Sequence, residues 1–175
     1  MKQLNLIPIE NYEHGGNLHR GRRKAKRPLN PKLPLHLVLK SSNAKGRFVF
    51  SPGNKRLSDL IQNFAGKFEI RIYDKAINFS HIHLCIKIKD RNSYLRFIRA
   101  VTAAITKLLK APKGFFDLLP YTKAVTWGRQ LKVLYSYIAK NRGQAKSRCE
   151  MPWQLRRPIE IKHDCKFEYG PDSSG

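Results

Sequence analysis

The chain has 175 residues, about the length of one domain, and its 41% of hydrophobic residues suffices for a buried core without disulfide or metal support. Its 35 Lys and Arg against 12 Asp and Glu give a formal net charge of +23, which excludes an acidic disordered chain and favours a polyanionic partner. No apolar run approaches the roughly 20 residues that a membrane-spanning helix needs, so no membrane partner is expected.

Residues 1–34 are predicted to form a basic N-terminal arm, because prolines near its end disfavour regular structure. No Asp or Glu occurs over residues 14–58, and Asp117 is the only acid over residues 91–149. Such stretches predict contacts to nucleic-acid phosphates that do not read sequence and that weaken steeply with salt. The candidate phosphate contacts in the arm are Arg20, Arg22, Arg23, Lys24, Lys26 and Arg27.

Residues 35–146 carry the hydrophobic periodicities of one folded domain, and residues 147–175 follow as a C-terminal tail. In chain order we predict a strand over Leu35–Lys40, a helix over Asn54–Phe68, strands over Glu69–Ile77 and Ser80–Ile88, a helix over Ser93–Lys110, a strand over Lys123–Trp127 and a helix over Gln130–Lys146. The order β-α-β-β-α-β-α predicts an α+β fold of the ferredoxin-like, split βαβ type, in which helices pack on an antiparallel sheet.

Two histidines lie two residues apart in the predicted strand over Ser80–Ile88. Because successive strand side chains point to opposite faces, His81 and His83 point to the same face. That geometry suits a pair of metal ligands. The alternative interpretation is a strand with two ordinary polar-face histidines, which a bare HxH pattern does not exclude.

The last predicted helix carries a tyrosine and an asparagine four residues apart. Residues at this spacing lie on one helix face, so Tyr137 and Asn141 can reach the same point. The alternative is that Tyr137 is a core aromatic and Asn141 marks the approach to a helix end. The two motifs together, in a chain of this charge, favour the functional interpretation.

The ordered set of motifs resembles the single-tyrosine HUH nucleases. The stretches that carry the resemblance are GGNLHRGRRKAKRPL, PLHLVLKSSNAKG, FSHIHLCIKI and WGRQLKVLYSYIAKNRGQA. The branch most similar to this chain is that of the REP-associated and IS-type single-strand DNA transposases, and the similarity runs from about Gly15 to Ala145. Ser80 departs from the pattern, since many relatives have Asn before the first histidine.

The resemblance implies a metal-dependent endonuclease and strand transferase that acts on single-stranded DNA, with an HUH-type fold. Tyr137 would be the nucleophile that forms a 5′-phosphotyrosine intermediate. His81, His83 and Asn141 would hold a divalent ion, Mg²⁺ or Mn²⁺. His36, which matches the family's early strand histidine, would either lie near this site or contact DNA.

The resemblance also implies a hairpin-forming single-stranded DNA as the partner, and both monomers and homodimers with shared sites are compatible with it. The three cysteines stand apart from any CxxC pair and the chain begins without a secretory signal, so we expect a cytoplasmic, nucleoid-associated protein. Two alternatives stay open: a non-catalytic basic module that binds single-stranded nucleic acid, and a small HUH replication initiator.

Overall fold

Five strands form one antiparallel sheet in the computed structural model, which describes residues 13–16 and 26–150. The strands are β1 (Glu13–His14), β2 (Leu35–Lys40), β3 (Arg71–Ile77), β4 (His81–Lys87) and β5 (Tyr121–Ala124), and the helices are α1 (Lys55–Lys67), α2 (Arg91–Leu108) and α3 (Arg129–Glu150). The spatial order of the strands is β1-β5-β2-β4-β3. From β2 to β5 the order of elements and their arrangement in the sheet are those of the ferredoxin-like fold, so the predicted fold is confirmed.

Strand β4 is buried on both of its faces. Ile82, Leu84 and Ile86 have no exposed surface and join the main core with residues of α1 and α2. On the opposite face Cys85 is equally buried, and it packs in a second cluster that includes Ile138 of α3. Helix α3 therefore turns the polar face of β4 into an interior surface, and the histidines of that face lie beneath it.

The observed elements differ from the predicted ones at their ends. β5 covers Tyr121–Ala124 instead of Lys123–Trp127, because its register is set by antiparallel pairing with β2 and ends where Val125 donates its N–H to the carbonyl of Pro34. α2 begins at Arg91, since the Asp90 carboxylate caps it. None of the helices that the structure describes is long and apolar enough to cross a bilayer.

Strand β3 forms one edge of the sheet, and α3 contacts it through an arginine. Arg142 donates two hydrogen bonds to the main-chain carbonyl of Lys75, from Nε at 3.2 Å and from a terminal nitrogen at 3.0 Å. The same guanidinium pairs with the carboxylate of Asp74. These contacts tie the middle of α3 to the sheet edge, one residue beyond Asn141.

Candidate active site

Two buried imidazoles lie side by side on the sheet face that α3 covers. His36 of β2 and His83 of β4 are only 2% and 1% exposed, and 3.1 Å separates Nε2 of His36 from Nδ1 of His83. Their rings stack with centroids 5.4 Å apart. The ring of His81 lies at 4.7 Å from that of His83 and nearly perpendicular to it. Neighbouring antiparallel strands thus assemble three imidazoles on one small surface.

Nε2 of His81 and Oδ1 of Asn141 meet at the side-chain nitrogen of Asn78. The side-chain nitrogen of Asn78 lies 3.1 Å from Nε2 of His81 and 2.9 Å from Oδ1 of Asn141, to which it donates. On the other side of the His81 ring, Nδ1 lies 3.1 Å from the hydroxyl of Ser80. If Nδ1 donates to that hydroxyl, the lone pair of Nε2 faces the same point as the Asn141 oxygen.

Helix α3 places Tyr137 against the histidines. The Tyr137 ring centroid is 5.2 Å from that of His83 and 6.0 Å from that of His36, with both pairs edge to face. The Asn141 amide donates to the Tyr137 carbonyl over 2.9 Å, which fixes one residue relative to the other. The structure therefore brings together Tyr137, Asn141 and both histidines of the HxH motif within one chain.

The neighbouring tyrosine of α3 faces the other way. Tyr135 packs with Tyr73 against the cluster that contains Cys85, towards β3 and away from the histidines. Partial burial raises the pKa of the Tyr135 phenol above its ordinary value. Of the two tyrosines, only Tyr137 contacts the imidazoles.

Burial keeps these imidazoles uncharged at neutral pH. Desolvation, with a smaller contribution from Lys123, lowers the pKa of His36 to about 3. Desolvation also lowers the pKa of His81 to about 4 and that of His83 well below its ordinary value. A neutral imidazole keeps one ring nitrogen with a free lone pair, which is the form that binds a metal ion.

These pKa shifts predict a dependence of stability on pH. The folded chain binds protons at His36 more weakly than the unfolded chain does, so the free energy of unfolding falls as pH is lowered from about 6.5 towards 3. A single histidine contributes up to about 1.4 kcal/mol per pH unit in that window. We expect His36→Gln to flatten the slope in urea melts between pH 6.5 and 4. Equal slopes in the two proteins would contradict the low pKa of His36.

The side chains at this site are of types that bind divalent cations, namely imidazole nitrogens and an amide oxygen. Although three imidazoles lie close together, the His, Cys, Asp and Glu side chains of residues 13–16 and 26–150 do not by themselves form a site of three or more metal ligands, so Asn141 would have to complete one. Two imidazoles and the oxygen of Asn141 are the available donors. Nε2 of His83 is buried and has no hydrogen-bond partner in the described part of the chain. Because an unpaired buried nitrogen is costly, a ligand for that atom is chemically reasonable.

The predicted phosphate contacts of the arm have different placements. Lys26 is exposed, whereas the Arg27 guanidinium bonds the His14 carbonyl at 3.2 Å and the Thr122 hydroxyl, and lies 5.7 Å from the ring centroid of Tyr94. Arg27 thus anchors the segment to the sheet through these contacts, and its part in phosphate binding stays a prediction. The remaining candidates lie outside the described residues: Arg20, Arg22, Arg23 and Lys24.

The structure places His36 at the candidate site, which is one of the two placements expected for it, and adds Asn78, which the sequence analysis did not single out. His36 lies beside His83 with a buried ring, so in this conformation it does not present a surface for DNA. Asn78 lies in the turn between β3 and β4. Its backbone N–H donates to the carbonyl of His81 over 2.8 Å, which closes the β3–β4 turn and holds its side chain over the site. An amide three residues before the first histidine is the only signal for this role.

Comparisons with known proteins give a family match and a more distant structural likeness. The profile of a protein family described as "Transposase IS200 like" matches residues 30–145, which include β2 to β5 and the part of α3 that carries Tyr137 and Asn141. A crystal structure from Deinococcus radiodurans R1, provisionally described as a transposase, is similar with a TM-score of 0.43 and 14% identity, over 69% of this chain and 98% of that chain. No curated protein matches the chain.

Proposed function

Because the chain belongs to the family of IS200-like transposases, we propose that it cuts and rejoins single-stranded DNA through a covalent bond to Tyr137. The observation that carries the proposal is the meeting of four side chains in one chain: Tyr137 lies against His83, and Nε2 of His81 and Oδ1 of Asn141 both lie about 3 Å from the side-chain nitrogen of Asn78, which an ion held by the two atoms would replace. A phenol beside candidate cation ligands suits phosphodiester cleavage by tyrosine, because an ion there can activate the nucleophile and neutralise developing charge.

Cleavage would proceed by attack of the Tyr137 hydroxyl oxygen on a DNA phosphorus atom. The new Oη–P bond forms as the bond from phosphorus to the 3′ oxygen breaks, and the phenolic proton ends on the departing 3′-OH. The DNA 5′ phosphate stays on the tyrosine. Attack by a 3′-OH reverses the step and joins the strands, so no nucleotide cofactor is needed.

A phenol with a pKa of about 10 is mostly protonated at neutral pH and needs help to react. His81, His83 and Asn141 would hold Mg²⁺ or Mn²⁺, and such an ion would polarise a phosphate oxygen and neutralise developing charge. Imidazole ligands favour Mn²⁺ over Mg²⁺. His36 would support this set, because its Nε2 can accept the Nδ1–H of His83 and so leave Nε2 of His83 as the donor atom.

The proposal is tested with a labelled, hairpin-bearing single-stranded DNA and Mn²⁺. We expect a protein–DNA adduct that survives a denaturing gel and does not form when EDTA is present from the start of the reaction. A duplex of the same sequence serves as the control substrate and should give none. If a panel of hairpins binds tightly without any adduct, the protein is a non-catalytic binding module and the proposal is wrong.

A further inference from the structure

A group of aromatic and cationic side chains lies at the N-terminal end of α3, apart from the candidate active site. Trp127, in the turn before α3, is 49% exposed and approaches the ring of Tyr73 edge to face, with centroids 6.0 Å apart. The Lys87 ammonium lies 5.8 Å from the Trp127 centroid, and the Arg71 guanidinium lies 5.3 Å from that of Tyr73. We call these four side chains the aromatic platform.

The indole of Trp127 is held in place although half of it is exposed. Its Nε1–H donates to the carbonyl of Lys32 over 3.1 Å, so the ring is tied to the segment that leads into β2. Of the large hydrophobic side chains that the structure describes, only Trp127 and Leu119 are exposed. A fixed, exposed indole loses little conformational freedom when a flat ligand stacks on it.

The side chains around the indole favour a ligand that carries both negative charges and planar rings. The Lys87 ammonium and the Arg71 guanidinium each lie over one face of a ring, so a base would stack on the opposite face or displace the cation towards a phosphate. Lys89 lies two residues beyond Lys87, although it is paired with Glu69. Aromatic rings for bases and cations for phosphates are the two components of single-strand binding surfaces. An apolar or acidic protein segment would use only one of the two.

From these contacts we infer that the aromatic platform is a base-stacking subsite for single-stranded DNA, in which Trp127 and Tyr73 receive bases and Lys87 and Arg71 contact phosphates. The inference rests on the proposed function for the identity of the polymer. Along α3, Arg129 and Tyr137 are about 12 Å apart. A base on the platform would therefore lie a few nucleotides from the phosphate that Tyr137 attacks.

Binding of a fluorescent oligonucleotide without metal tests the subsite, since no chemistry is involved. In a Tyr137→Phe background, we expect Trp127→Ala to weaken binding about tenfold, within the range known for base stacking on aromatic side chains. Trp127→Phe should retain most of the affinity. Leu119→Ala, at the other exposed large hydrophobic residue, is the matched control and should bind as the background does.

Thermal melts identify variants that fail to fold. Lys87→Gln supplies a second measurement, since it replaces a polar side chain and leaves the Trp127 ring in place. It should reduce the slope of log affinity against log salt by about 0.7, the value for one phosphate on a single strand. An abasic site placed at one defined distance from the nick should remove the difference in affinity between Trp127→Ala and its background, because the base that stacks on Trp127 is then missing.

The inference is wrong if Trp127→Ala binds within twofold of its background, or if it changes only the oligomeric state, which would make the platform a contact between copies. Neither result depends on the adduct assay. If no adduct forms but binding still depends on Trp127, only the catalytic proposal is overturned. If the adduct forms but binding does not depend on Trp127, only the subsite is overturned.

Discussion

Tyr137→Phe is expected to abolish the covalent adduct, lowering its yield by about 10³-fold or more, while the affinity for hairpin DNA stays within about twofold. The substitution removes a single oxygen, the atom proposed to attack phosphorus. It keeps the ring that lies 5.2 Å from His83 and 6.0 Å from His36, so the packing of α3 is preserved. The measurement is the adduct yield on a denaturing gel, alongside anisotropy for binding.

Tyr135→Phe is the matched control for this experiment. It removes the same hydroxyl two residues away, from a ring that lies near Tyr73 and Cys85 and about 200° around the helix axis from Tyr137. Its adduct yield should equal that of the unmodified protein. An adduct that persists in Tyr137→Phe and disappears in Tyr135→Phe would transfer the nucleophile to the second tyrosine.

His81→Ala is expected to have the second largest effect, with loss of nearly all metal-dependent adduct and a weakening of Mn²⁺ binding by at least about 10-fold. His81 supplies the Nε2 atom that converges with the Asn141 oxygen. Because its ring is partly exposed, truncation leaves a smaller packing defect than the loss of the buried His83. Isothermal titration with Mn²⁺ measures the binding independently of DNA.

Ser80→Ala provides a graded comparison for His81→Ala. It keeps the imidazole and removes only the hydroxyl that lies 3.1 Å from Nδ1 of His81, so we expect a smaller loss of Mn²⁺ affinity. If His81→Ala binds Mn²⁺ as the unmodified protein does and still forms the adduct on addition of metal, His81 is not a ligand and the proposed donor set fails.

Much of the fold could be predicted because the spacing of hydrophobic residues along the chain indicates which segments form strands or helices and which face each of them buries. The alternation of Ile82, Leu84 and Ile86 fixed the core face of β4, and the same period put both histidines on the opposite face. The end of β5 was missed because its register depends on pairing with β2, a contact distant in sequence. Local propensity carries no information about such a partner.

The site shows the same division. The spacing of Tyr137 and Asn141 placed them on one helix face, but only the docking of α3 across β4 brings that face to the histidines. The role of Asn78 in the site could not be predicted from the sequence, because asparagine is common in turns that have no further function. Its importance comes from the distances of its amide nitrogen to two groups that belong to different elements.

The contact of Arg142 with the Lys75 carbonyl has a consequence for self-assembly. An uncovered edge strand offers main-chain groups on which a strand from another molecule can add, the usual route to sheet extension and aggregation. At β3, the guanidinium already occupies one of these carbonyls. An incoming strand would have to displace Arg142 from this carbonyl, so the same contact that ties α3 to β3 also opposes strand addition at this edge.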